Sequence, residues 1–139
     1  MSYKIYLLSV FRELFIRHHK SLEFRAKVFA AMLLAKKKES EEDYEILNEI
    51  AKEIYQDDKQ RVEILNATIK EYVGKARIYK NLNLDSLLSE IDKDLKKHRR
   101  YVKKIDFSHL RRLICDDEDD ALVQHRVYEF FVSEVKAYS

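Results

Sequence analysis

Five consecutive acids, Asp116, Asp117, Glu118, Asp119 and Asp120, stand between the only cysteine of the chain, Cys115, and a histidine, His125. Asp116, Glu118 and Asp120 have the alternate-residue spacing of the first ligands in a calcium loop. Such a loop needs a glycine at its sixth position and a bidentate glutamate at its twelfth, and this chain has Ala121 and Val127 there. An EF-hand is excluded. Three readings remain. A looser calcium or magnesium site would relieve the repulsion among five carboxylates at one turn. A basic partner could dock on them. Or the run is the polar start of a helix, with Asp119 and Asp120 as caps opposing the positive N-terminal dipole, each contributing a few tenths to about 1 kcal/mol.

Cys115 and His125 do not make a zinc site, because no Cys-x-x-Cys or His-x-x-x-His pair accompanies them. Cys115 is expected on the apolar side of a short helix as a buried small hydrophobe. A nucleophilic arrangement of Cys115 with His109 or His125 and an acid can be drawn, but any chain with one cysteine and five histidines permits that. One glycine cannot build a phosphate cradle. The expectation is a non-enzyme.

The other chemistry-bearing stretch is KDLKKHRRYVKK, residues 93–104, with Lys93, Lys96, Lys97, Arg99, Arg100, Lys103 and Lys104 interleaved with His98 and Tyr101. Cations on one helix face, opposite an apolar stripe, are what phosphate binding requires and also what a solvated surface helix shows. Asp85, Glu90, Asp92 and Asp94 on the same helix weigh against binding, as does a net charge of only +2. The charge is unevenly distributed: residues 93–112 hold nine basic and two acidic groups, and residues 116–139 hold two basic and seven acidic ones. Two opposed patches follow from such alternation, internal to one fold or displayed to partners.

The elements that must position these groups are helices. With no proline and one glycine, the chain lacks the turn residues that hairpins and sandwiches need. A length of 139 residues is one domain, with 7 Phe and 9 Tyr as core material. Apolar spacing predicts seven helices, over about 3–19, 22–37, 41–56, 58–73, 85–104, 108–115 and 119–138. Ser40 with Asp43 forms a capping box for the third. Gly74 is expected to end the fourth in a left-handed conformation, before an irregular connection over 75–83. Leu84, Leu88, Ile91, Leu95, His98, Val102 and Ile105 fall on heptad spacing along the fifth. Asp106 or Ser108 caps the sixth. No period near 34 residues appears, which argues against a solenoid.

The N-terminal apolar run is interrupted by Arg12 and Glu13 and is followed by no small-residue cleavage site, so neither a membrane span nor a secretory leader is expected. The lone cysteine fits a reducing, cytoplasmic location. Two apolar stripes on the first helix point to burial within the chain or to a second copy packed against it as a homodimer.

The stretch FAAMLLAKKKESEEDYEILNEIAKEI, residues 29–54, places an alanine-containing apolar helix, a short polar turn and a capped amphipathic helix in succession. HLRRLICDDEDDALVQHRVYEFFVSEV, residues 109–135, repeats that order. Together they resemble the TerB-like helical family, which includes the tellurite-resistance protein TerB and the helical region of some J-domain co-chaperones. The resemblance covers about 24–138 and leaves the first helix, within 1–20, as an addition. It implies two helix-turn-helix units and divalent-cation binding by acids of their turns, here Asp43 and residues 116–120. Where the family turn reads Ala-Asp-Gly, this chain has Ala35-Lys36-Lys37 and Cys115-Asp116-Asp117. The expectation is an all-α, non-catalytic interaction or adaptor domain whose acidic turns contact a cation or a basic protein partner. The alternative is nucleic-acid binding by residues 93–104.

Overall fold

The computed structural model describes residues 20–56 and 58–139. The helix expected over 3–19, and with it the homodimer contact, lies outside the described residues. The fold is all-α, and the described residues form six α-helices, two short 3-10 segments and no strand.

Helix α1 (Lys20–Leu34) is the centre of the packing: ten of its fifteen residues are buried, so it is apolar on nearly all sides. Phe24, Val28, Met32 and Leu33 are in the core, while Ala26, Ala30 and Ala31 let neighbours approach closely. Its partners are α3 (Lys59–Ile78), α4 (Leu84–Lys97), α6 (Glu118–Tyr138) and the 3-10 segment Arg99–Lys104. Against α3 packs α2 (Glu41–Tyr55), which buries Leu47, Ile50 and Ala51 as its periodicity predicts. Its start is the expected capping box. Asp43 N–H donates to Ser40 Oγ at 3.3 Å and Ser40 N–H donates to Asp43 Oδ2 at 2.9 Å. At its other end the reversal toward α3 uses Gln56 at φ 44°, a left-handed conformation that costs a side-chain-bearing residue about 1 kcal/mol or more.

Gly74 does not end a helix. α3 continues through it to Ile78, and no glycine has positive φ. The residues after it, Lys75, Ala76 and Arg77, are good helix formers, and two of them put positive charge at the negative end of the dipole. Arg77 also anchors this last turn. Its Nη2 donates to the carbonyls of Lys36 at 2.8 Å and Leu33 at 3.4 Å, where α1 stops.

The long helix expected over 85–104 is two elements. α4 stops at Lys97, His98 takes φ −134° and ψ 78°, and Arg99–Lys104 tightens into a 3-10 turn. A continuous α-helix would stack Lys96, Arg99, Arg100, Lys103 and Lys104 at i,i+3 and i,i+4 spacing, where like charges repel. Breaking it lets Tyr101 bury against Phe24, ring centroids 5.1 Å apart, with His98 on its other side at 4.9 Å. A short α5 (Phe107–Arg111) follows, capped by Asp106, whose Oδ1 accepts from Ser108 N–H at 2.9 Å.

Candidate functional site

The two acidic turns meet. The turn after α1 carries Lys36 and Lys37, and the turn before α6 carries residues 116–120. Lys37 N–H donates to Asp120 Oδ1 at 3.0 Å across a separation of 83 residues. Beneath that contact Lys36 is buried, 9% exposed, with its Nζ 2.7 Å from Oδ2 of Asp43, itself 4% exposed. The same Asp43 oxygen accepts the Ser40 N–H of the capping box. Burial by itself would push the Lys36 ammonium toward neutrality. The hydrogen bond and charge of Asp43, with Cys115 and Asp120 behind them, outweigh it and hold Lys36 above the ordinary lysine range. The contribution of the raised Lys36 value is therefore present below about pH 10.5, while its carboxylate partner is ionised, and is lost as pH rises past the raised value.

Each acid proposed as a cation ligand now has a place. Asp43 is neutralised by Lys36. Asp117, not Asp119 or Asp120, is the N-cap of α6, its Oδ1 accepting from Asp120 N–H at 2.9 Å. Asp120 accepts from Lys37. Asp119 is exposed, 3.9 Å from the exposed Lys37 Nζ. Asp116 and Glu118 are exposed. Among the described residues no group of three His, Cys, Asp or Glu side chains gathers as metal ligands. The buried carboxylate has its counter-charge, Asp117 and Asp120 each hold a backbone N–H, and Asp116, Glu118 and Asp119 are exposed.

A residue the sequence analysis passed over holds the two turns in register. Gln124 is fully buried. Its Nε2 donates to the carbonyls of Met32 at 3.1 Å and Leu113 at 2.9 Å, and its Oε1 accepts from Cys115 N–H at 2.9 Å. Its signal in the sequence is a polar side chain on the same helical row as Val127 and Phe131, both buried. Cys115 is half-buried in the turn itself, outside α5, rather than a core hydrophobe. His109 lies between Asp106 and Glu53, at 3.6 and 3.9 Å, and His125 is exposed on α6.

The cationic stretch behaves in the opposite way. Of Lys93, Lys96, Lys97, Arg99, Arg100, Lys103 and Lys104, only Lys96 pairs with a described carboxylate, Asp92 at 3.1 Å. Three acids of α4 also have partners outside the stretch. Asp94 and Glu90 lie 2.9 and 3.9 Å from Lys27 of α1, and Asp92 accepts from Tyr138 OH at 2.7 Å. Arg99 and Arg100 rest over the rings of Tyr138 and Tyr101, 5.8 and 5.9 Å from the centroids. Lys104 is half-buried, and its ammonium is pushed below the ordinary lysine range by burial first and then by Arg25 and Arg100 nearby. Lys97 and His98 border a cleft of about 260 Å³ against α1, which Lys20 and Lys27 also line.

No family model, curated protein or solved structure matches this chain. Its function must be argued from the site.

Proposed function

We propose that this protein is a non-catalytic interaction domain that binds nucleic acid through residues 93–104. The observation that carries the reading is the imbalance of charge partners. Among the described residues only Lys96 of this stretch has a carboxylate partner, and polyphosphate would supply the missing charge and release its counterions. The expected straight basic helix is not needed for this, because contacts to the phosphate backbone demand cations on one surface and no particular secondary structure. The acidic turns, first choice from the sequence, are the weaker surface because their central carboxylate is neutralised from within.

The TerB-like reading is kept for the architecture. The junction of the two turns supports it, with the Lys36 ammonium supplying the positive charge that the resemblance assigns to a divalent cation. No helix of the described residues is long and apolar enough to cross a membrane. The free Cys115 suits a reducing cytoplasm.

The experiment is fluorescence anisotropy of a labelled 20-base-pair duplex titrated with the full chain at 50 and 200 mM salt. Binding at 50 mM is expected to weaken by roughly two to three decades at 200 mM, the dependence for about four or five phosphate contacts. No binding at the lower salt overturns the proposal.

A further inference from the structure

Resting on that nucleic-acid reading, we infer that the contact surface extends onto α1 through Arg25, and that it takes the phosphodiester backbone of a duplex and reads no bases. Two observations carry this. The first is the posture of Arg25. Its Nη1 donates to the hydroxyl of Tyr55 at 3.2 Å and its guanidinium lies 5.4 Å from the centre of that ring. Arg61 of α3 shares the same ring at 5.9 Å. Arg25 makes no ion pair with any described carboxylate, and its helix packs against the 3-10 segment, whose Lys104 lies near both Arg25 and Arg100. Cations from two separate elements are thus held on one surface before any ligand arrives, and a guanidinium fixed on an aromatic ring loses little freedom when a phosphate binds it.

The second observation is where the aromatic rings point. A surface that binds single strands offers ring faces on which bases stack. Here two aromatic residues beside these cations are turned away from that use. Tyr101 is 4% exposed, held between Phe24 and His98. Tyr55, beside Arg25, has its ring covered by two guanidiniums. The 3-10 segment is six residues, about 12 Å, and its tight turn presents no long helical face to a major groove. Charge whose neighbouring rings are covered recognises phosphate spacing.

The test uses the full chain with labelled duplexes of two unrelated sequences and a single strand of equal length, by anisotropy at two salt concentrations. The two duplexes are expected to bind within about threefold of each other, and the single strand no tighter than either. Arg25→Gln and Lys104→Gln are each expected to weaken binding by roughly tenfold at low salt and to reduce the salt slope by about one, and Arg25→Lys to retain the slope. Unchanged melting curves would confirm that the variants are folded. Wild-type affinity for Arg25→Gln, with Lys104→Gln still weakened, would remove α1 from the surface while leaving the nucleic-acid reading intact. A tenfold preference for one sequence or for the single strand would show that bases are read. A chain that binds none of the three, or binds only vesicles of anionic lipid, would overturn both the inference and the reading beneath it.

Discussion

The meeting point of the acidic turns and the cationic stretch at 93–104 carry similar densities of charge, and the fold treats them differently. At the turns, the buried carboxylate of Asp43 has a buried ammonium 2.7 Å away, Asp120 takes a backbone N–H, and Asp117 caps a helix. At the cationic stretch, only Lys96 has a carboxylate partner among the described residues. A charged cluster whose members are satisfied by their own chain is architecture, because moving any of them exposes another to an unpaired burial. A cluster left unsatisfied is available to a ligand. Charge composition does not separate the two cases, and partner geometry does.

The sharpest way to break this comparison is at Lys36. Lys36→Met leaves Asp43 buried without its counter-charge, which is expected to cost about 3–5 kcal/mol in a denaturant melt. Wild-type protein in millimolar calcium or magnesium is expected to keep the same melting midpoint, since among the described residues no three carboxylates gather to take the ion. A rise of several degrees in either salt would restore the acidic turns as a cation site and reverse the contrast between the regions.

A second charged group tests whether α6 is also held by internal pairing. Glu134 packs against Asp92, and burial, then the hydrogen bond and charge of Asp92, push its carboxyl up to about 7. Between the ordinary 4.5 and about 7 the folded chain keeps a proton that the unfolded chain has released. Stability is therefore expected to fall as pH rises through that interval and to level off above it. Melting midpoints measured from pH 4.5 to 8 should show a drop of a few degrees, and Glu134→Gln should flatten it.

Gly74 offers a smaller effect of opposite sign. It sits inside α3 with helical backbone, and an added Cβ would meet nothing within 4 Å. Gly74→Ala is expected to stabilise by about 0.5–1 kcal/mol, read as a higher denaturant midpoint. Smallest of all is Lys103, exposed and without a partner among the described residues. Lys103→Gln should leave stability within about 0.5 kcal/mol while weakening duplex binding, the reverse of what Lys36→Met does. A Lys103 variant that unfolds the protein would show that this cation is structural after all.

Wherever the interaction is short in sequence, it could be read before the structure. The capping box of Ser40 and Asp43 needs only three residues of spacing, and the core faces of α2 and α3 follow from periodicity, so Leu47, Ile50, Val62, Leu65 and Ile69 are buried as expected. The readings that changed were those in which a distant partner overrode a local signal. Gly74 looked like a terminator until Arg77 tied the next turn to the end of α1. The apolar stripe from Leu84 to Ile105 looked continuous until Tyr101 found Phe24, 77 positions earlier, and broke it at His98. The role of Gln124 could not be read locally, because its three backbone partners lie on two other segments.

By itself the sequence settled that the chain is helical, where several helices begin, and that its charge comes in blocks of alternating sign. Near absence of glycine and proline does this, since a backbone without turn formers reverses only between helices. Which block faces inward was decided by tertiary structure alone. Whether a carboxylate is free to bind anything depends on the ammonium beside it, and Lys37 reaches Asp120 only because the chain folds back across 83 residues.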